Sequence, residues 1–209
     1  MSASAGLKVH KKVRVLGIDP GSRLLGYGVV DVEGRSVRVV AYGTLKVKTG
    51  EEENFGDRLL NIYSLLTEII VTHRPTEAAF ENVFFAKNAV SALKLGQARG
   101  AAILTAQIQG LSFFEYSSTA VKQTVTGYGR ADKDQVAQMV TRITGYSDFD
   151  TPDASDGLAI AICHAMHRTH LNLSQTSVAG DRALKTEKKT SKKLSLADAV
   201  KHARKFKEK

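Results

Sequence analysis

The chain has 209 residues, a hydrophobic content of 43% and a single cysteine. This length allows one sizeable α/β core, and a lone cysteine excludes an internal disulfide framework and suits a reducing cytoplasm. No apolar run approaches the ~20 residues of a membrane span, so no membrane partner is expected. The net charge of +9 favours a polyanionic partner. Most of it lies in residues 171–209, which hold 11 Lys and Arg against 4 Asp and Glu.

The first part of the chain predicts a leader and three strands. Residues 1–11 have no apolar core of a secretory signal and are predicted to be a disordered leader. Residues 13–18 predict a central, buried strand. Residues 26–32 and 37–47 alternate and are rich in β-branched side chains, so they predict a hairpin that turns at residues 33–36.

The middle of the chain predicts alternating helices and strands. Apolar residues at spacings of 4, 3, 4 and 3 predict an amphipathic helix that ends near Pro75: Phe55, Leu59, Ile62, Leu66 and Ile69. Residues 77–83 then predict a strand. Asn88 is a suitable cap for a long helix that ends at Gly110, and residues 112–116 predict a short strand.

Two shorter helices follow. Ser118 is predicted to cap a brief helix that stops at Gly127. Asp132 followed three residues later by Gln135 fits a capping box, and Gly145 ends the helix that it begins. The buried face of that helix is predicted to consist of Val136, Met139, Val140 and Ile143.

The last core helix is predicted to begin at Thr151, which precedes a proline, and to reach about His170. Three early strands followed by alternating helices and strands predict an α/β domain over residues 12–170. Its sheet is mixed and five-stranded, with helices on both faces. Residues 171–209 are predicted to form a basic, flexible tail in which residues 196–206 have the pattern of a short helix.

Four carboxylates interrupt or adjoin apolar segments: Asp19, Glu81, Asp153 and Asp156. A buried acid is costly unless it is paired or binds metal, and Arg14 is the one basic residue within these segments. Asp153 and Asp156 share a helix face and repel each other unless a cation lies between them. Carboxylate oxygens suit Mg²⁺ or Mn²⁺, and two such ions suit phosphodiester hydrolysis. The pattern therefore predicts a metal site for phosphoryl chemistry, with nucleic acid as the substrate.

Each acid also has a purely structural interpretation. Asp153 is favourable at a helix N-terminus without any metal. Asp19 has the composition of a turn with the Pro-Gly-Ser that follows it. Glu81 is compatible with a charge on an edge strand. From the residues alone, these alternatives stay open.

Over residues 13–170 the chain resembles the bacterial RuvC family of Holliday-junction resolvases. The segments that carry the resemblance are Gly17-Ile18-Asp19-Pro20-Gly21-Ser22, Gly26-Tyr27-Gly28, Glu81-Asn82-Val83-Phe84, Ala86-Lys87-Asn88, Ser91-Ala92-Leu93-Lys94-Leu95-Gly96-Gln97-Ala98-Arg99-Gly100, Val121-Lys122-Gln123-Thr124-Val125 and Asp153-Ala154-Ser155-Asp156-Gly157-Leu158.

The resemblance implies a ribonuclease-H-like fold and a homodimer that nicks two opposed strands of a four-way DNA junction during recombination and repair. It implies Mg²⁺ as the cofactor, with two ions per subunit expected and Mn²⁺ as a substitute. The catalytic acids of the family match Asp19, Glu81, Asp153 and Asp156. A branch-migration motor is implied as a partner.

The resemblance also assigns expected contacts. The family aromatic that stacks near the junction centre matches Phe84, and basic residues near the cleaved phosphate match Lys122 and Lys133. Polar or basic groups that are expected to face DNA, with solvation of a helix surface as the alternative, are carried by Lys87, Asn88 and Arg99, and for Lys94 solvation is the expected role. The family dimerises through the long helix, where small residues form a strip: Ala92, Gly96 and Gly100. Packing of that strip on the chain's own sheet is the alternative.

Two competing functions remain at this stage. ATP-using proteins of the actin, Hsp70 and sugar-kinase class also begin with a strand, an aspartate and a glycine-containing turn, as residues 17–22 do. That class needs two such domains, for which 209 residues leave no room. A non-catalytic junction-binding protein of the same fold is the other alternative, and the four intact acids argue against it.

Overall fold

The computed structural model describes residues 12–21, 23–47, 54–82, 89–147 and 149–177. The predicted leader and nearly all of the predicted tail lie outside these residues. Among the helices in the described ranges, none has the length and apolar character that crossing a membrane requires.

A mixed five-stranded sheet forms the centre of the fold, as predicted. Its strands are β1 (Val13–Pro20), β2 (Leu24–Glu33), β3 (Ser36–Lys46), β4 (Glu77–Asn82) and β5 (Ser112–Ser117). They lie in the order β3-β2-β1-β4-β5. The first three strands pair antiparallel, whereas β4 pairs parallel with both β1 and β5. The parallel pairs require crossover connections, which the helices between these strands supply.

Helices cover both faces of the sheet. They are α1 (Phe55–His73), α2 (Ala89–Ile108), α3 (Ser118–Thr126), α4 (Lys133–Thr144) and α5 (Pro152–Ser177). The packing of α1 and α2 buries one face, on which Leu16, Ile18 and Phe80 are fully buried. The packing of α3, α4 and α5 buries the other face, where Val15 and Ala79 lie. The expectation of helices on both faces is confirmed.

Local capping signals explain where several helices begin and end. The capping box at Asp132 and Gln135 is present as predicted, with both reciprocal hydrogen bonds. Gly127 and Gly145 end α3 and α4 in the left-handed conformation that glycine adopts readily. The predicted cap of α3 is wrong by one residue, because the Ser117 hydroxyl accepts the hydrogen bond from a helix amide and Ser118 already belongs to the helix.

Two helices differ from their predicted extent or face. Phe55 is 53% exposed, although its spacing placed it on the buried stripe of α1. The stripe instead consists of Ile62, Leu66 and Ile70, since the first turn of α1 extends past the packed region. The last helix continues to Ser177 rather than ending near His170.

A buried acid that the sequence analysis passed over is paired with cations. Asp31 is only 4% exposed and accepts hydrogen bonds from Arg14, at 2.7 Å from Nε to Oδ1 and 3.0 Å from Nη2 to Oδ2. Lys12 and Arg38 also contact its carboxylate. Hydrogen bonding from Arg14 holds the pKa of Asp31 well below its usual range. Arg14 and Asp31 are direct partners in the β1–β2 register, so this pair joins two strands.

Candidate metal centre

Two of the four acids lie at the carboxyl ends of neighbouring parallel strands. Ile18 of β1 pairs with Phe80 of β4, and the next residue in each strand is an acid, Asp19 in β1 and Glu81 in β4. Ligand sites of open α/β sheets lie at this edge. The interpretation of Asp19 as a turn residue is wrong because it belongs to β1, and β4 is an interior strand, so Glu81 is not an edge-strand charge.

Glycines let the start of α5 lie directly on the sheet. A β-carbon on Gly17 of β1 would come within 2.3 Å of the main-chain oxygen of Gly157, and one on Gly26 of β2 within 1.9 Å of the main-chain oxygen of Asp153. Real β-carbons essentially never come so close, so both strand positions require glycine. The close approach brings the two acids of α5 to the end of β1.

The first turn of α5 is also held from β3. The hydroxyl groups of Thr44 and Thr151 are hydrogen-bonded, although the two residues are 107 positions apart. Thr151 also accepts a hydrogen bond from the amide of Ala154, at 3.4 Å, which supports its predicted role as the cap of α5. Tyr42 packs edge-on against Phe149 with ring centroids 5.3 Å apart. These contacts fix the segment from which Asp153 projects.

Three carboxylates converge at this point. One oxygen each from Asp19, Asp153 and Asp156 lie within 4.8 Å of one another, and we call these residues the carboxylate cluster. Glu81 and Lys133 line the same pocket as Asp19 and Asp156. Lys133 donates a hydrogen bond from Nζ to Oδ2 of Asp156 at 3.1 Å. The prediction that Asp153 and Asp156 share a helix face is confirmed.

The electrostatics of the cluster show an uncompensated excess of negative charge. Burial, together with the charges of Asp156, Glu81 and Asp153, raises the pKa of Asp19 to about 7, and the charge of Lys133 opposes this shift. The hydrogen bond to Asp156 raises the pKa of Lys133, which therefore stays charged. An acid whose pKa is raised to near neutrality by burial and by surrounding acids is suited to a cation as a partner.

The cluster opens into a pocket of about 470 Å³ between the sheet edge and the helices α3, α4 and α5. Lys122 of α3 and Lys133 of α4 line its rim, and Val121, Val136 and Ile160 contribute apolar wall. Both lysines that the resemblance placed near a phosphate thus lie beside the cluster. An anionic group that entered the pocket would meet the positive charge of these lysines as well as the carboxylates.

The remaining expected site residues fall into two groups, of which the structure describes only one. Phe84, Lys87 and Asn88 lie outside the described residues. The small residues of α2, in contrast, are described and exposed: Ala92, Gly96 and Gly100. The alternative prediction, that this strip packs on the chain's own sheet, is therefore wrong, because Ala98 and Ala102 occupy the buried face of α2.

The exposed face of α2 carries large apolar side chains beside these small ones. A β-carbon on Gly96 or on Gly100 would have nothing within 4 Å among the residues that the structure describes. The exposed large residues on the same helix are Val90, Leu93, Leu104 and Ile108. Glycine inside a helix is about 1 kcal/mol less favourable than alanine. Packing among the described residues therefore does not explain why glycine occupies these two positions.

Sequence reasoning missed the contacts of one arginine near the end of β4. Arg99 was expected to face DNA or solvent, yet it pairs with Glu115 of β5 and donates from Nε to the main-chain oxygen of Glu81 at 3.4 Å. Both partners depend on the strand register, so no local pattern in the sequence could have identified them.

Comparisons with known proteins agree with this geometry. The family described as "Crossover junction endodeoxyribonuclease RuvC" matches residues 15–164. The chain is 51% identical over 154 residues to the crossover junction endodeoxyribonuclease RuvC of Chromohalobacter salexigens, a match that covers 74% of this chain and 81% of that protein. It is 50% identical over 153 residues to the RuvC of Geotalea uraniireducens, covering 73% and 88%.

A solved structure shows the same fold. The structure described as T. thermophilus RuvC in complex with Holliday junction substrate is similar with a TM-score of 0.69 and 36% sequence identity. The match covers 76% of this chain and 96% of that chain. The expected ribonuclease-H-like α/β architecture is therefore confirmed by a structure at substantial sequence identity.

Proposed function

This chain belongs to the crossover junction endodeoxyribonuclease RuvC family, and from this premise we propose that it nicks four-way DNA junctions at the carboxylate cluster. The observation that carries the proposal is the convergence of Asp19, Asp153 and Asp156 from two distant parts of the chain. Glu81 lies at the neighbouring strand end. The reaction is hydrolysis of a phosphodiester bond in each of two opposed strands during recombination and repair.

The cofactor we propose is Mg²⁺, with two ions per subunit and Mn²⁺ as a substitute. The donor set fits, because carboxylate oxygens are the ligands that these cations prefer, and because burial and then the neighbouring acids raise the pKa of Asp19. The ligands would be Asp19, Glu81, Asp153 and Asp156. When bound, the ions supply a nucleophilic water at neutral pH and neutralise charge on the phosphate.

The protein's own residues supply orientation and charge around this centre. Lys122 and Lys133 line the pocket and would contact the phosphate that is cut. Because Lys133 is bonded to Asp156 in this structure, it also offsets part of the carboxylate charge before metal is bound. Val121 contributes an apolar wall to the pocket, and charge interactions are stronger beside apolar surroundings than in bulk water.

We propose that the chain acts as a homodimer through α2. Two symmetric nicks require two centres related by a two-fold axis. The glycines Gly96 and Gly100 are exposed on α2, have free space around them and lie among exposed apolar side chains. A second copy of the same helix would fill that space and cover those side chains.

Three more contacts with DNA come from the resemblance. Phe84 would stack on an unpaired base at the junction centre, which typically contributes about 1–3 kcal/mol per base. Lys87 and Asn88 would contact the backbone nearby. In the sequence these residues follow β4, which ends at Asn82, next to Glu81.

Further features of the proposal concern organisation and partners. The nuclease domain would span residues 12–170, preceded by a disordered leader over residues 1–11. The basic residues 171–209 would follow it as a flexible tail. A branch-migration motor would deliver the junction. Junction DNA and the single cysteine both favour the cytoplasm as the compartment.

The proposal is tested with a labelled synthetic four-way junction, with and without Mg²⁺. Asp156→Asn and Glu81→Gln should each reduce paired nicking by more than about 100-fold, because an amide does not replace a metal-binding carboxylate. Junction binding should persist, since it depends mainly on phosphate contacts. Glu68→Gln, which changes an exposed glutamate of α1, serves as the matched control.

Two outcomes would contradict the proposal. Cleavage at the wild-type rate in Asp156→Asn would remove that residue from the centre. Junction binding by the wild-type protein without any Mg²⁺-dependent nicking would instead support the non-catalytic junction-binding alternative.

A further inference from the structure

The end of β4 is held from the face of the sheet opposite the carboxylate cluster. Side chains alternate along β4, and Phe80 is buried with α1 and α2, whereas Ala79 is buried with α5. By the same alternation Glu81 projects towards α5 and its main-chain oxygen lies near the plane of the sheet. Contacts to that oxygen therefore position the backbone of Glu81 without touching its carboxylate.

Arg99 makes such a contact. It projects from α2, is 20% exposed, and donates from Nε to the main-chain oxygen of Glu81 at 3.4 Å. Its Nη2 forms an ion pair with Oε1 of Glu115. Glu115 is the β5 residue directly opposite Phe80 in the parallel register. A single guanidinium thus joins α2, β4 and β5 one residue from the end of β4.

The chemistry of this position requires an arginine rather than any cation. A largely buried charge is costly unless it is paired, and Glu115 supplies the pairing. The planar guanidinium presents donors in fixed directions, so a single group bonds both the carboxylate and the main-chain oxygen. Lysine has one compact donor group on a flexible stem and would not hold both partners in the same geometry.

We propose that Arg99 is a positioning residue for Glu81. It sets the end of β4 and so the distance at which the Glu81 carboxylate stands from Asp19. Arg99 lies between Gly96 and Gly100 in α2. A shift of this helix would therefore move the Arg99 side chain and, with it, the backbone of Glu81 at the metal centre. This inference rests on the proposed function, because it assumes that Glu81 binds metal.

The test measures metal binding without DNA, by titrating Mn²⁺ and following the free ion by electron paramagnetic resonance. Arg99→Gln should weaken Mn²⁺ binding by about 10-fold, as is typical when support of a metal ligand is lost. Arg99→Lys should weaken it less. The Mg²⁺ concentration for half-maximal cleavage should rise in parallel, and high Mg²⁺ should restore most of the cleavage rate. Lys94→Gln removes an exposed charge from the same helix and should leave Mn²⁺ binding unchanged.

A double-mutant cycle separates this inference from the proposed function. Arg99→Gln should have little additional effect on Mn²⁺ binding when Glu81→Gln is already present, because both changes act through one ligand. If Glu81→Gln alone leaves Mn²⁺ binding unchanged, the proposed ligand set fails. If Glu81→Gln weakens binding but Arg99→Gln lowers only the melting temperature, Arg99 is structural and the inference fails.

Glu115→Gln keeps the experiment decisive if Arg99→Gln does not fold. It removes the ion pair while leaving Arg99 and the Glu81 carbonyl in place, so Mn²⁺ binding should weaken by about 3-fold, which is less than the effect of removing a metal ligand's support completely. Wild-type Mn²⁺ affinity in a folded Glu115→Gln variant, together with wild-type affinity in Arg99→Lys, would overturn the inference.

Discussion

Gly26 of β2 lies against the main-chain oxygen of Asp153 so closely that an added β-carbon would come within 1.9 Å of it. The first turn of α5 therefore rests on bare backbone, and the cluster exists in its observed form because of this contact. In the antiparallel register, Gly26 of β2 pairs with Asp19 of β1. Gly26 therefore lies beside one member of the cluster, Asp19, and packs against another, Asp153.

Replacing this glycine by alanine should displace the start of α5. We expect Gly26→Ala to lower the free energy of unfolding by about 1–3 kcal/mol, the usual cost of overpacking, and to reduce junction cleavage by more than about 10-fold in the folded fraction. Denaturant unfolding and single-turnover cleavage measure the two effects. Gly56→Ala, near the start of α1 where the added carbon meets only a side chain at 3.2 Å, is the control.

Metal binding should depend steeply on pH. The pKa of Asp19 is raised to about 7 by burial and by the neighbouring acids, and a divalent cation binds its deprotonated form. The apparent Mn²⁺ affinity should therefore increase by up to about 10-fold per pH unit below pH 7 and level off above it. Calorimetric titration between pH 5.5 and pH 8, values chosen roughly to bracket that pKa, measures this dependence. A flat profile would contradict it.

The same shift predicts how the stability of the metal-free protein varies. The folded protein retains the Asp19 proton up to about pH 7, whereas the unfolded chain releases it near the ordinary value of 3.8. Folding thus binds a proton between these values, and the melting temperature in EDTA should fall as the pH rises through this window. Saturating Mg²⁺ should remove or reverse the decline. The pKa of Asp31 is held low by Arg14, so Asp31 stays ionised throughout.

The exposed glycines of α2 predict that larger side chains at these positions disrupt dimer formation. Gly96→Leu or Gly100→Leu should convert a dimer into a monomer at micromolar concentration, because a leucine would hold the two helices apart. The fold itself should survive, since neither position has a neighbour within 4 Å. Light scattering gives the mass and circular dichroism checks the fold. Thr72→Leu, on the exposed surface of α1, is the control. A fully active wild-type monomer would exclude the dimer.

Removal of the basic tail should affect affinity rather than chemistry. Residues 178–209 hold 11 Lys and Arg against 4 Asp and Glu, so truncation after Ser177 should weaken binding to junction and duplex alike. For every phosphate that the truncated protein no longer neutralises, the logarithmic salt dependence should become shallower by about 0.9. Cleavage at saturating protein should persist. Unchanged affinity and slope would point to partner docking, and loss of folding would show that residues 196–206 pack on the domain.

The elements that could be predicted depend on local patterns. The capping box at Asp132 and Gln135 and the three-residue spacing of Asp153 and Asp156 need only helix geometry. Strand alternation predicted the hairpin. Convergence of Asp19 with α5 was inferred from acids placed in apolar segments and supported by the resemblance, because no local pattern joins residues so far apart.

The contacts that escaped prediction all depend on which strands are neighbours and in what register. The hydrogen bond between Thr44 and Thr151 spans 107 positions, and the ion pair of Arg99 with Glu115 requires β4 and β5 to be aligned first. Phe55 shows the opposite error. Its apolar spacing predicts burial, but periodicity does not reveal where a helix extends beyond the sheet that covers it.

Small side chains lie on both faces of α2, although the outward face also carries larger ones such as Leu93 and Leu104. Ala98 and Ala102 face the sheet, and Gly96 and Gly100 face outwards. In a dimer formed on the outward face, the two α2 helices, one from each protomer, would lie between the two sheets and set the distance between them. The separation of the two cutting points along the DNA would then be a property of helix thickness. A methyl group added on either side of α2 would be present in both copies, so it would keep the two-fold symmetry but lengthen that separation, and the positions of the two nicks would shift before either active centre lost its chemistry.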